Sequence, residues 1–331
     1  TQHSVKELLN MGIQPDVIVC RSDYPLEAGS KKKMAAFCNV RQDCIIENLT
    51  TDNILEIPLE LESEGFASAV LRKLKLEDRE ADLGKWERAV YAAYKREKQS
   101  KARVAVVGKY VEMHDAYVSL YEALKYAGYD LCVDCETVGV SSDKINDRNV
   151  AQKLAGFDGT IIPAGFGERG FAGKIAAARY ARTNDVPCLM IGLGAQAGAV
   201  EFARDVLGIA DADSREFDKK TPHPVICGGT GAFKKGGHMT KISGGSLLKE
   251  AYGSDTVRMR HRHRFEINPD YAAAFAGAGL AVTGVSDEGF IDAYELPANK
   301  FWMGVVFQPE FNAKVGNPDK LIRLFLSACV K

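Results

Sequence analysis

From Val104 onward the chain alternates short β-branched runs with amphipathic stretches: "VAVVG" (104–108), "DAYVSLYEALKYAGY", "LCVDCETV", "FDGTIIPAG", "GKIAAARYART", "PCLMIG" and "AQAGAVEFARDVLG". The runs are short for helices, and the stretches after them repeat their apolar residues at helical spacing. Strands that return through a helical crossover pair in parallel. The pattern therefore predicts an α/β domain with a central mostly parallel sheet and helices on both faces. Beyond Val225 the strands are less regular, and "KLIRLFLSAC" closes the chain as a helix.

The first 75 or so residues behave differently. The strand "DVIVC", a polar loop with "SKKK", the run "MAAFCNV" and "CIIENLTTDNILEIP" follow one another without a complete βαβ unit. A helix-like "LGKWERAVYAAYKREK" (83–98) then runs into the polar "KREKQSKAR", where the apolar period stops. Three regions result: 1–76, a helical linker 77–101, and the α/β domain 102–331.

A hydrophobic fraction of 46% and a charged fraction of 26% suit a chain with a sizeable core, and a net charge of -1 gives no global attraction to nucleic acid or anionic lipid. Nor does any apolar run reach membrane-spanning length, and "TQHSVKELLN" lacks a signal peptide's regions. A cytoplasmic protein without nucleic-acid or membrane partners is expected. The eight cysteines are scattered, which favours reduced structural thiols. Cys132 and Cys135 form a C-x-x-C inside a strand-like run, but no second pair and no histidine at ligand spacing accompany them, so no metal is expected.

Three further stretches resemble ligand motifs. "GFGERG" (165–170) follows a strand like a dinucleotide loop, but the next strand lacks the terminal acid such a site needs, so a tight turn is the better reading. "GGTGAFKKGG" (228–237) fails the phosphate-loop spacing and reads as a mobile surface loop. In "RMRHRHRF" (258–265), strand alternation puts Arg260, Arg262 and Arg264 on one side and His261 and His263 on the other. An anion pocket fed by one arginine and a nucleic-acid patch both remain open there.

"CLMIGLGAQAGAVEFAR" (188–204) has the layout of a strand, a sharp turn and a helix, with Gly192 where such elbows carry a nucleophile. Glycine has no side chain to attack with. Cys188 lies four residues upstream in the strand, ~13 Å away if extended, and cannot replace it.

Taken together, "TQHSVKELLNMGIQPDVIVCRSD", "MAAFCNV", "VAVVGKYVEMHDAYVSLYEAL", "PAGFGERGFAGKIAAARYAR", "ADSREFD", "GGHMTKI" and "RHRHRFEIN" resemble the C-terminal part of the CTP synthase family across nearly all 331 residues. The resemblance implies a class I glutamine amidotransferase-like domain preceded by a fragment of a P-loop-type amidoligase domain, residues 1–76. In that family, glutamine is hydrolysed at one site and its ammonia aminates UTP at another. The family elbow reads G-I-C-L-G-M-Q and its base lies in F-H-P-E-F, so "MIGLGAQ" puts Gly192 at the cysteine position and "FQPEF" puts Gln308 at the histidine position. Only Glu310 of the triad is retained. A neutral amide does not accept a proton near pH 7, so glutaminase chemistry by this route is expected to be absent.

The resemblance further implies that Gly165 and the amide of Leu193 hold the carboxamide, while Gln196, Glu216 and Arg264 grip the amino-acid end of glutamine or glutamate. Pro163-Ala164-Gly165-Phe166-Gly167 stands where the family has P-G-G-F-G, a single added methyl that the turn is expected to absorb. The segment between Val225 and Gly236 is shorter than in the family, which puts the lid over the pocket in doubt. Thr1, Gln2 and Lys33 match pyrimidine-nucleotide contacts. No P-loop or magnesium carboxylates precede them, so ATP and Mg2+ are expected only with a complete synthetase half, and this stretch alone is not expected to make CTP. By resemblance the protein is a homo-oligomer, specifically a tetramer. A non-catalytic assembly or regulatory module and a glutamine-binding sensor are the alternatives.

Overall fold

The computed structural model describes residues 1–330 apart from 96–99, 230 and 232. The chain divides into two compact units, Thr1–Tyr91 and Ala92–Lys331. The division falls inside the helix Gly84–Lys95, earlier than the polar stretch that reads as the linker; part of that stretch, 96–99, lies outside the described residues.

In the first unit β1 (Ile18–Ser22) and β2 (Ile45–Leu49) pair in parallel, Ile18 opposite Ile45, with the helix Ser30–Cys38 between them. This is a complete βαβ unit, which corrects the expectation that the region lacks one. The apolar residues of "SKKKMAAFC" crowd into its last turns and form no stripe, so its helical period is faint. Val5, Ile18, Cys20, Cys38, Cys44, Ile45 and Ala69 make this unit's own small core.

The second unit is built on one large sheet. Its strands are β3 (Lys101–Gly108), β4 (Asp134–Ser141), β5 (Gly159–Ile162), β6 (Cys188–Ile191), β7 (Ala212–Ser214), β8 (His223–Gly228), β9 (Lys234–Ile242), β10 (Thr256–His263), β11 (Phe265–Ile267), β12 (Ala281–Ser286), β13 (Ile291–Glu295) and β14 (Trp302–Val305). The main path runs β10-β9-β12-β13-β14-β6-β5-β3-β4. Its β14-β6-β5-β3-β4 section is parallel, the α/β core predicted from the alternation after Val104. The remaining strands on that path extend the sheet in antiparallel pairs. One face is covered by the helices Phe171–Thr183 and Leu193–Asp205, packing Ile175 and Phe202 against Ile162 and Trp302. The other is covered by Val118–Leu131 and Lys320–Cys329, packing Leu124 and Phe325 against Val104 and Val106. No helix among the described residues is long and apolar enough to cross a membrane.

Two local expectations change. Cys132 is not in a strand: it caps the helix Val118–Leu131 with φ 54°, and only Cys135 enters β4. The stretch 228–237 is not one surface loop, because Lys234–Gly237 already belongs to β9, with Gly236 opposite His261 and Gly237 opposite Arg260. Strand pairing holds its second half, while positions 230 and 232 lie outside the described residues.

Candidate functional site: an elbow without a nucleophile

β6 is fully buried and ends at Gly192, which caps the helix Leu193–Asp205 with φ 56° and ψ -116°. Its N–H donates to Val305 O at 2.8 Å, and its carbonyl accepts from Gln196 N at 3.1 Å. The elbow is therefore anchored on both sides. The helix also approaches the sheet closely: a Cβ on Gly194 would lie 1.9 Å from the carbonyl oxygen of Ile162, which leaves room for glycine alone.

The atoms nearest to a Cβ on Gly192 would be Ala164 Cβ at 2.9 Å, Gln308 Nε2 at 3.3 Å and Ala164 Cα at 3.4 Å. Ordinary carbon–carbon contacts lie near 3.5–4.0 Å. The Ala164 methyl thus obstructs the space in which the first atom of a nucleophilic side chain would sit. The turn thus has room for the Ala164 methyl because residue 192 is glycine, and a side chain at 192 would collide with it.

Gln308 starts the 3-10 turn Pro309–Asn312, and its N–H donates to Arg260 O at 2.9 Å. The residue is 2% exposed, and neither Oε1 nor Nε2 has a hydrogen-bond partner among the described residues. Glu310 Oε2 is likewise sealed from solvent and unpartnered. Burial pushes the Glu310 carboxyl up to about 8, with Asp319 adding to the rise, so it is largely protonated at pH 7. Asp319 caps the terminal helix through Leu321 N at 2.9 Å and Ile322 N at 3.2 Å. Beside these groups lies a cavity of about 270 Å³ whose lining includes Tyr110, Ala164, Gly165, Arg262, Gln308 and Glu310.

The loop Pro163–Gly167 is held by side chains that the sequence reading did not single out. Lys174, wholly buried, donates to Pro163 O, and Lys109 donates to Phe166 O and to Gly167 O. Burial and the neighbouring Lys109 bring the Lys174 ammonium down to about 7. A lysine set among alanines in "GKIAAARYAR" was the available signal, because a surface-facing helix turn would carry more polar neighbours. Two amines on three carbonyls fix the loop that carries Ala164 and Gly165.

The remaining predicted pocket residues do not line one space. Glu216 Oε1 accepts from Gly167 N at 3.1 Å, and Gln196 donates through Nε2 to Phe265 O at 2.7 Å. Arg264 lies over the Phe233 ring at 5.5 Å and lines a separate cavity of about 160 Å³ with Lys234, Glu266 and Glu288. Leu193 opens the helix behind the elbow, and Gly165 stands 3.6 Å from it, measured from where a Cβ would sit to Leu193 Cδ2. In β10 the histidines face inward and the arginines outward, as strand alternation predicts. His261 is buried with both ring nitrogens unpartnered among the described residues; burial, with His263 and Lys234 beside it, drives it down to about 2, so it is neutral. Cys188 is fully buried and burial raises its thiol far above the ordinary range, which removes it as a substitute nucleophile. No group of three or more His, Cys, Asp or Glu among the described residues is arranged to hold a metal ion. In the first unit Thr1, Gln2 and Lys33 are all exposed, at the start of one helix and within another.

The fold and elbow define a class I glutamine amidotransferase domain, and residues 112–328 match the family model of that description. Residues 1–76 match the model described as CTP synthase N-terminus. The chain belongs to the CTP synthase family. It is 41% identical over 344 residues to a CTP synthase of Bacteroides thetaiotaomicron, an alignment covering 100% of this chain and 64% of that protein. With a CTP synthase of Pyrococcus abyssi it shares 44% identity over 331 residues, 96% of this chain and 61% of that one. The chain thus spans under two thirds of the length of these curated relatives. A solved Trypanosoma brucei CTPS glutaminase domain with bound acivicin superposes with a TM-score of 0.66 at 32% identity, covering 69% of this chain and 93% of that domain.

Proposed function

We propose that the chain is the C-terminal part of a CTP synthase-like protein whose amidotransferase domain no longer hydrolyses glutamine. The observation that carries this is the pairing of Gly192 with Ala164: the elbow offers no attacking atom, and the methyl of Ala164 crowds the space such an atom would need. Gln308 reinforces it, since an amide at the base position neither takes a proton from a thiol nor returns one to a leaving amine. Glu310 has kept the identity of the orienting acid but has no imidazole to orient.

Joined to an N-terminal synthetase half, such a domain would belong to an ATP- and Mg2+-dependent ligase that aminates a pyrimidine nucleotide of the UTP-to-CTP type with free ammonia or another amine. Thr1, Gln2 and Lys33 are the positions in this chain assigned to the nucleotide, and a cytoplasmic homo-oligomer is the corresponding assembly. The test is CTP formation by the product of the whole gene, with glutamine or ammonium chloride as nitrogen source. The expected result is activity with ammonium and none with glutamine; glutamine-dependent ammonia release by the unmodified protein overturns the reading. A second reading, a module that binds without turnover, is favoured by the cavity beside Gln308, where two buried polar atoms lack partners among the described residues.

A further inference from the structure

We propose that the outer face of the β9–β10 ribbon is a docking surface for a single-stranded polynucleotide, whose phosphates bind a row of arginines and whose bases stack on the exposed rings at the end of that row.

β10 is the outermost strand on the main path of the sheet and pairs, antiparallel, with β9. The two strands, KKGGHMTKI and TVRMRHRH, contain no acidic residue. Alternation turns Arg258, Arg260 and Arg262 outward, with Arg264 exposed just beyond, and the register sets exposed Lys235 directly opposite Arg262. Like charges directly opposite each other destabilise a sheet. Among the described residues none of Lys235, Arg258, Arg260, Arg262 and Arg264 has an ion-pair partner: Glu288, beside Arg264, pairs with Lys234 at 3.0 Å, and Asp287 takes Lys241 at 3.5 Å. Charges on an edge strand also guard against edge-to-edge pairing, but isolated charges serve that purpose. Here unpaired cations spread over both strands of a chain whose net charge is -1, so the attraction for an anion is local to this face. A polyanion laid along the ribbon recovers the cost of their repulsion.

Alternate residues of a strand stand about 7 Å apart, so the arginines from 258 to 262 form a row of about 14 Å that Arg264 continues. Gly237 makes room for the first: a Cβ there would stand 3.0 Å from Arg258 Nε and 3.2 Å from its Cζ. Guanidinium groups bind phosphate through two parallel hydrogen bonds, which lysine does not. At the other end Arg262 lies over the Phe166 ring at 5.8 Å and Arg264 over that of Phe233 at 5.5 Å, and these exposed rings stand 6.1 Å apart. Exposed rings beside a basic row take unstacked bases of any sequence. An acidic peptide would satisfy the cations and leave the rings bare, and a duplex keeps its bases stacked on one another. A single strand uses both features.

The experiment titrates labelled oligo(dT) and oligo(U) with the full chain, read by fluorescence anisotropy at several salt concentrations. The expected result is a dissociation constant of about 10⁻⁶–10⁻⁴ M at physiological salt, weakening steeply as salt rises. Arg258→Glu with Lys235→Glu, both at exposed positions, should weaken binding at least about tenfold, whereas Lys85→Glu with Lys153→Glu, the same charge change at exposed positions elsewhere, should leave it within about threefold. Phe233→Ala should weaken it at least about fivefold. Circular dichroism checks that each variant folds; if the first pair does not, Arg258→Gln alone should lower the slope of log affinity against log salt by about 0.7. No binding of either oligonucleotide, equal losses in the two charge-reversed pairs, an unchanged slope in Arg258→Gln, or full affinity in Phe233→Ala overturns the proposal. Poly-L-glutamate that binds as tightly as an oligonucleotide of equal charge overturns it in favour of an acidic protein.

Discussion

Restoring a cysteine at Gly192 should fail until Ala164 is also changed. Two costs fall on Gly192→Cys. The backbone φ of 56° with ψ -116° lies where a side chain is strained, at roughly 1–3 kcal/mol. The new Cβ would also lie 2.9 Å from Ala164 Cβ, an overlap of about 0.6 Å or more against ordinary contact, which adds about 1–3 kcal/mol of overpacking. Ala164→Gly removes the second cost and leaves the first. Denaturant unfolding of the wild type, both single variants and the double variant closes a thermodynamic cycle, with an expected favourable coupling of about 1–3 kcal/mol. Activity should follow the same logic. Gly192→Cys with Gln308→His supplies the three triad identities that the resemblance implies, yet its sulfur remains displaced by the methyl, and small misplacements of reacting atoms cost orders of magnitude in rate. Ammonia release from glutamine should therefore appear only in the variant that adds Ala164→Gly. Coupling below about 0.5 kcal/mol, or equal ammonia release with and without Ala164→Gly, refutes the argument that the methyl closes the nucleophile's position.

Glu310→Gln should flatten the pH dependence of stability. The folded carboxyl is raised from 4.5 to about 8, so its stability contribution is fully present below the unfolded value and is lost as pH rises through the folded one. The variant should accordingly gain on the wild type between pH 5 and pH 9 by on the order of a few kcal/mol in thermal or denaturant unfolding, and parallel stability curves for the two proteins would contradict this. Gly194→Ala should destabilise by more than about 3 kcal/mol or abolish folding, because its Cβ would lie 1.9 Å from a backbone oxygen of β5 that the parallel core fixes; an unchanged melting temperature would disprove the close approach.

The parallel core was legible because strands such as "VAVVG" and "CLMI" are buried on both faces and so read as unbroken apolar runs. Helix ends were less so. "DAYVSLYEALKYAGY" begins with a 3-10 turn, His114–Tyr117, before the helix proper at Val118. The βαβ unit of the first region escaped because Ser30–Cys38 shows no apolar stripe, and Phe37 near its end is exposed. The strand-to-helix elbow at Gly192 was legible from "CLMIGLGAQAGAVEFAR". What local sequence could not show is that Ala164, 28 positions before Gly192 in the numbering, lies against it. That contact arises where the ends of β5 and β6 emerge side by side from the sheet. The two lysines under the loop were hidden for another reason. A lysine is expected at the surface, and although the alanines around Lys174 hint at burial, its backbone carbonyl partner is shown only by the fold.

The residues at 192, 164 and 308 make physical sense as a set. Glycine at 192 adopts the elbow's positive φ without the strain that a side chain there would carry. It also leaves the volume above the turn without a side chain, and the methyl of Ala164 fills part of it, which keeps the elbow packed. Gln308 then sets an uncharged group beside them. Facing the vacated position, with Nε2 3.3 Å from where a Cβ on 192 would sit, a neutral amide avoids burying a cation next to two raised carboxyls, Glu310 and Asp319. An imidazole there would draw Glu310 toward its ionised form, because an imidazolium favours the carboxylate while burial disfavours it. Without it Glu310 stays protonated and adds a second polar group to the cavity wall. Each of these residues thus lowers the cost of the others, and with Glu310 largely protonated the groups packed against the elbow itself are uncharged at pH 7.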